Sequence, residues 1–166
     1  MSLFPEEDVN AHYFARSDSS ETLGTYSDHG FELEDQYWPT VEHYFQASKF
    51  EPNSDHRERI RLAPSPEKAR KLGRTRWKAK VRNDWKKVRE VIMTRGVYTK
   101  CRTHPDIAQQ LLDTGDQRLV ENSQYDYFWG CGRDRRGENT YGKVLMKVRA
   151  KLLAEQKEAE SEGSSE

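Results

Sequence analysis

Hydrophobic residues make up only 34% of this 166-residue sequence. No run of them approaches the roughly 18 needed to cross a bilayer, so a membrane-spanning helix is excluded. Cysteine is as scarce. Cys101 and Cys131 have neither the density of a disulfide scaffold nor the spacing of a metal site, and two reduced thiols in a cytoplasmic protein are expected. Residues Met1 to Asp8 lack the basic stretch and apolar core of a secretory signal. His12, His29, His56 and His104 are scattered without Cys, Asp or Glu at ligand spacing, so no metal is expected. Net charge is missing too: 28 Lys and Arg balance 28 Asp and Glu, which argues against a large nonspecific polyanion surface. Aromatic residues are not scarce. At 11% of the chain they exclude a disordered protein.

The balanced charge is segregated. Residues 1–51 carry 11 acidic side chains against Arg16 and Lys49, whereas residues 57–102 carry 17 basic ones against four acidic. Such a basic block serves either an anionic ligand or a surface that pairs with the acidic part of the chain.

Turn and capping signals divide the chain. Ala11 to Phe14 is a short strand candidate, and residues 17–30, rich in Ser, Asp, Thr and Gly, form a loop. Phe31-Glu32-Leu33 and Gln36-Tyr37-Trp38 form a hairpin turning at Glu34-Asp35. Thr40 caps a helix from Val41 to about Phe50, Ser65-Pro66 opens one ending near Gly73, and Asn83 or Asp84 caps a longer one. In that long helix Trp85, Val88, Val91, Ile92 and Arg95 form the inward stripe. Pro105 opens a further helix, Leu119-Val120 forms a short strand, and a last helix runs from Asn139 or Thr140 with Tyr141, Val144, Leu145, Val148 and Leu152 on one face. The expected architecture is α+β: a predominantly helical single domain over residues 11–154, packed on a small N-terminal sheet. A flexible acidic lead-in (1–10) and a disordered acidic tail (155–166) flank it.

Two places carry chemistry. Glu42, Phe45, Gln46 and Lys49 share one helical face, setting a carboxylate, an amide and an amine beside aromatic rings. The same spacing also fits a solvated stripe. His43 beside Tyr44 reads as a packed core residue. The second place is residues 125–143, where Tyr125, Tyr127, Phe128 and Trp129 are interleaved with glycines ahead of a helix N-terminus whose N–H groups suit an anion. It is no phosphate loop of the Gly-Lys-Ser/Thr type, since Val144 follows Lys143. Trp77 and Trp85 among Arg74, Arg76, Lys78, Lys80 and Arg82 raise a nucleic-acid reading, although core packing also accounts for Trp85.

The stretch Tyr37-Trp38-Pro39-Thr40-Val41-Glu42-His43-Tyr44-Phe45-Gln46-Ala47-Ser48-Lys49-Phe50 resembles the YbiA-like, or NADAR, superfamily. The resemblance continues in order through Ser65-Pro66-Glu67-Lys68-Ala69-Arg70, Asn83-Asp84-Trp85, Leu111-Leu112-Asp113-Thr114-Gly115-Asp116, Leu119-Val120-Glu121, Asp126 with Trp129-Gly130, and Asn139 with Gly142, Leu145-Met146 and Arg149. It implies an N-glycosidase that hydrolyses a ribosyl–nitrogen bond. One branch of that family acts on early riboflavin-biosynthesis intermediates, and another removes ADP-ribose from guanine bases. Carried over by position, the resemblance implies Glu42, Lys49 and Asp126 as catalytic residues, and Tyr26, Ser27, Trp85, Trp129 and Asn139 as substrate-binding ones. Asp28 stands where the family usually has an Asn.

Two routes are compatible with these residues. In one, Glu42 or Asp126 stabilises a ribosyl cation and orients water; in the other, the sugar ring opens and Lys49 forms a Schiff base. No cofactor or metal is called for. The expected partner is a small phosphorylated ribosyl substrate, with nucleic acid entering only as an ADP-ribosylated substrate, and the protein is expected to be a monomer. The alternative is a non-catalytic ADP-ribose or nucleotide-binding module.

Overall fold

The structure, a computed structural model, describes residues 9–75 and 77–165. Most of the acidic lead-in, and Arg76 of the basic block, therefore lie outside the described residues. The elements follow the order β1 (Ala11–Phe14), β2 (Phe31–Leu33), β3 (Gln36–Trp38), α1 (Val41–Ala47), α2 (Asp55–Arg61), α3 (Pro66–Gly73), α4 (Trp85–Thr103), α5 (Pro105–Asp113), β4 (Arg118–Glu121) and α6 (Thr140–Gly163). This is the α+β class the sequence implies. Its strands form two separate two-stranded ladders, and the chain divides into two compact units, Ser17–His104 and the remainder.

In the unit Ser17–His104, β2 and β3 form an antiparallel hairpin that pairs Phe31 with Trp38. Glu34 and Asp35 both take positive φ, 56° and 61°, the twist a two-residue hairpin turn requires. Phe31 and Trp38 point inward and are buried, while Glu32 and Tyr37 on the opposite face are exposed.

Thr40 caps α1 as expected, its Oγ1 accepting from the His43 N–H at 3.2 Å. All seven residues of α1 are buried, so the Glu42–Gln46 face is not a solvated stripe. The α-helix stops at Ala47 rather than near Phe50, and the chain tightens through i→i−3 bonds from Lys49 N–H to Gln46 O and from Phe50 N–H to Ala47 O. His43 is locked between Thr40 Oγ1 on Nδ1 (2.8 Å) and the Ala63 carbonyl on Nε2 (2.9 Å). Burial lowers its pKa, which keeps the ring neutral in this structural role.

Helix α2 is an addition to the sequence reading, capped by Ser54, whose hydroxyl accepts from Arg57 N–H. Ser65 and Pro66 open α3 as expected. The inward stripe of α4 differs from the expected one. Val91 is 60% exposed, and the buried positions are Ile92, Met93, Gly96, Val97, Lys100 and Cys101. The shift follows from close packing on α1: a side chain at Gly96 would run into the Tyr44 ring, so that face of α4 must meet α1.

In the other unit β1 pairs in parallel with β4, placing His12 opposite Leu119 and Tyr13 opposite Val120. Helix α6 packs on β4 and on α5, burying Tyr141, Val144, Leu145, Val148 and Leu152 as the periodicity predicts. It remains helical to Gly163, through most of the segment 155–166 expected as a disordered tail. Its last turns are exposed and rich in Glu, Ala, Lys and Gln, good helix formers that extend a helix without tertiary packing.

Candidate active site

In the unit Ser17–His104 a single carboxylate organises three segments. Glu42 is fully enclosed. Its Oε1 accepts from Gln46 Nε2 at 2.8 Å and from Arg70 Nε at 3.0 Å, and its Oε2 accepts from Thr25 Oγ1 at 2.7 Å. The Glu42 N–H also donates to the Thr25 carbonyl at 3.0 Å. Loop 17–30, α1 and α3 thus converge on one buried charge. Such a charge is tolerable only when paired and fully hydrogen-bonded. The guanidinium of Arg70 lies 4.8 Å above the ring of Tyr26, so Tyr26 is held through Arg70 by the same carboxylate.

Lys49 leaves this cluster on the following turn. It is half-buried, its Nζ donating to the Gly73 carbonyl at 3.3 Å and standing 5.9 Å and 5.8 Å from the ring centroids of Phe45 and Trp85. Those rings meet at 5.0 Å and form an apolar wall along the amine. Position 73 must be glycine, because a Cβ there would overlap the Gln46 side chain that braces Glu42. A cavity of about 350 Å³ is lined by Phe50, Glu51, Pro52, Arg82, Asn83 and Asp84, the residues that flank Lys49 and Trp85 along the chain.

Ser27 is committed elsewhere. Its Oγ accepts from Lys100 Nζ at 2.6 Å and donates to the Thr22 carbonyl at 3.4 Å. Asp28 is exposed.

In the other unit the aromatic-glycine segment is fastened by Asp126. Its Oδ1 accepts from the N–H groups of Phe128 (3.0 Å) and Trp129 (2.8 Å), and its Oδ2 accepts from Arg16 Nη2 at 3.3 Å. Arg16 lies 5.9 Å from the ring centroid of Trp129, which is buried. Asn139 has φ 51° and does not cap α6. Its side chain bridges β4 instead, Oδ1 accepting from Glu121 N–H at 2.8 Å and Nδ2 donating to the Leu119 carbonyl at 2.9 Å. Two of the N–H groups expected to suit an anion at the start of α6 are engaged by the preceding segment. The N–H groups of Thr140 and Tyr141 already donate to the carbonyls of Phe128 and Trp129.

Within Ser17–His104 the structure therefore joins Tyr26, Glu42, Lys49 and Trp85 in one neighbourhood and sets Ser27 against α4. Asp126, Trp129 and Asn139 belong to the other unit. Among the described residues no group of three or more His, Cys, Asp or Glu side chains could hold a metal ion, and no helix is long and apolar enough to cross a membrane.

The model of the NADAR domain family matches residues 3–153. The chain belongs to the NADAR domain family. It is 46% identical over 132 residues to an N-glycosidase of Nostoc punctiforme, covering 78% of this chain and 84% of that protein. It is 34% identical over 149 residues to N-glycosidase YbiA of Escherichia coli, covering 90% and 92%. A chloroplastic riboflavin biosynthesis protein of Zea mays shares 40% identity over 144 residues, 79% of this chain but 23% of that protein. The solution structure of E. coli YbiA superimposes with a TM-score of 0.79 at 32% identity, covering 93% of this chain and 91% of that one. This NADAR protein is an enzyme of the N-glycosidase type.

The stripe places Gln46 beside Glu42, but it does not reveal Thr25 and Arg70, which complete the carboxylate's surroundings. Glu121, buried beside Asp126's loop, accepts from the N–H groups of Arg16 and Ser123. Gln46 stood on the Glu42 stripe and gave a signal; Arg70 lay in the family-like stretch but had no spacing relationship to Glu42.

Proposed function

We propose that this NADAR enzyme hydrolyses the ribosyl–nitrogen bond of a phosphorylated ribosylamino-pyrimidine, the chemical class of early riboflavin-biosynthesis intermediates, and that Lys49 is its nucleophile. The observation that carries the reading is the contrast between Lys49 and the carboxylates. Both oxygens of Glu42 are engaged by Thr25, Gln46 and Arg70, and both oxygens of Asp126 by backbone N–H groups and Arg16. Neither is set to orient water. Lys49 is half-buried, its Nζ donating to the Gly73 carbonyl at 3.3 Å and lying against the rings of Phe45 and Trp85, so its amine, unlike the carboxylates, is a group that can form a Schiff base beside an apolar wall.

The route balances without a cofactor. The glycosidic nitrogen lone pair opens the sugar ring, the ring oxygen takes a proton, and an iminium forms at the former anomeric carbon. The neutral Lys49 amine adds to that carbon, a proton passes to the departing amine, and the C–N bond to the pyrimidine breaks. The Schiff base left on Lys49 adds water and releases ribose 5-phosphate and the free amine. Trp85 forms a flat wall for the departing base. Arg and Lys side chains of residues 57–102 supply charge for the phosphate. Glu42 acts as a fixed buried charge that sets Arg70 and Tyr26, and Ser27, Asp126 and Asn139 keep their segments in place. The relatedness to the Zea mays riboflavin biosynthesis protein supports the substrate class.

The test is incubation with ribosylamino-pyrimidine phosphates, ADP-ribosylated guanine nucleotides and DNA, and NAD. Release of ribose 5-phosphate from the first group is expected. Release of free ADP-ribose instead would replace the substrate class, and no turnover of any would favour a binding module.

A further inference from the structure

Helix α4 carries an ionisable side chain that the hydrolysis route above does not use. Lys100 is 2% exposed, an unusual setting for an ammonium group. Its Nζ has three hydrogens, and three oxygens meet them: the carbonyls of Thr22 (2.5 Å) and Gly24 (2.9 Å) and the hydroxyl of Ser27 (2.6 Å). All three acceptors lie in the loop before β2. They bracket Thr25, which holds Glu42 by both its hydroxyl and its carbonyl, and Tyr26, which lies under Arg70. A second fastening closes the far end of the loop, where His104 Nε2 meets the Gly30 carbonyl at 2.7 Å.

The loop has no regular secondary structure between Ser17 and Gly30, so its conformation depends on such side-chain fastenings. A methionine in its place would take one hydrogen-bond donor from each of the Thr22 and Gly24 carbonyls and the Ser27 hydroxyl. We infer that Lys100 is a positioning residue for hydrolysis: its ammonium clamps residues 22–27 in the register that presents Thr25 to Glu42 and Tyr26 to Arg70. The inference rests on the proposal that the Glu42 neighbourhood serves the reaction.

Lys100→Met, with Ser27→Ala as a milder second variant, tests it by two readouts. Amide hydrogen exchange at pH 7 is expected to accelerate in residues 22–28 of Lys100→Met while the protected amides of α1 and α6 keep their rates; Ser27→Ala shows a smaller effect in the same segment. On a ribosylamino-pyrimidine phosphate, kcat is expected to fall by about tenfold or more with KM changed less, as for a misplaced reacting geometry. Unchanged exchange in residues 22–28 of both variants overturns the clamp. Accelerated exchange with wild-type kcat overturns the positioning role. Should the wild type itself fail to turn over that substrate, the substrate proposal fails, and the exchange data still decide whether Lys100 clamps the loop.

Discussion

Arg70 Nε donates to Glu42 Oε1 at 3.0 Å while the same guanidinium covers the ring of Tyr26 at 4.8 Å. One side chain from α3 thereby couples a buried carboxylate of α1 to an aromatic residue of the loop that precedes β2. The pair is nearly dry, with Arg70 17% and Glu42 0% exposed at the side chain. Its integrity therefore matters to both stability and activity.

Arg70→Met removes one partner of this buried pair and leaves the enclosed Glu42 charge without that guanidinium. A loss of about 3 kcal/mol in unfolding free energy is expected, in line with other broken buried pairs. Chemical denaturation of the variant checks it. A change below about 0.5 kcal/mol, typical of surface substitutions, would show that the pair is not a stability element.

Lys49 gives a chemical signature. Borohydride added during turnover is expected to trap a covalent adduct on Lys49, detectable by mass in the peptide that contains it. Lys49→Arg keeps the charge but cannot form a Schiff base, so activity is expected to fall by about 10³-fold or more, as for other removed nucleophiles. Activity retained in Lys49→Arg without any trapped adduct would return the reaction to the carboxylate-stabilised cation route.

Two neighbours on α4 pull the alkaline stability in opposite directions. Burial lowers the Lys100 pKa from 10.5 to about 8 and raises that of Cys101 from 9.0 to about 11. Between pH 8 and 10.5 the unfolded chain holds a proton on Lys100 that the folded chain has lost, so this group makes stability rise with pH. Between pH 9 and 11 the folded chain keeps the Cys101 proton that the unfolded chain has lost, and stability falls. Lys100 alone contributes a rise of about 1 kcal/mol from pH 8 to 9, and Cys101 offsets a growing part of it as pH approaches and passes 9. Denaturant midpoints at pH 7.5 and 9 are expected to show that rise in the wild type and to lose it in Lys100→Met. Equal slopes in the two proteins would contradict it.

Asn139→Ala should act on stability through β4. The substitution leaves the buried N–H of Glu121 and carbonyl of Leu119 without their partners and places alanine at φ 51°. A destabilisation of about 3 kcal/mol is expected by denaturation, about 1 kcal/mol or more from each orphaned group and the remainder from the left-handed backbone. A stability within about 0.5 kcal/mol of wild type would mean that Asn139 is not structural.

Local signals in the sequence were sufficient for much of the fold. The hairpin at Glu34-Asp35, the caps at Thr40 and Ser65, Pro105 and the inward face of α6 are set by nearest-neighbour chemistry, and each is where its residues place it. What depended on tertiary contact was not legible. Ser54 caps a short, highly charged helix whose pattern gives no apolar stripe. The inward face of α4 is chosen by the closeness of Gly96 to Tyr44, a fact no periodicity contains. In the site, Glu42 and Lys49 were visible as a helical stripe, but their surroundings were not. Arg70 reaches Glu42 across 28 positions, and Lys100 reaches Thr22 across 78. The resemblance implied Asn139 as a ligand contact; the side-chain bonds that its surroundings in the sequence do not announce run to the backbone of β4.

The measurement that tests the account most directly is the release of ribose 5-phosphate from a ribosylamino-pyrimidine phosphate by wild type and Glu42→Gln side by side. The account predicts turnover by the wild type and a loss of about 10²-fold in the variant, the size seen when a fixed electrostatic group is removed from an active site. No release by the wild type, or full turnover by Glu42→Gln, would contradict it.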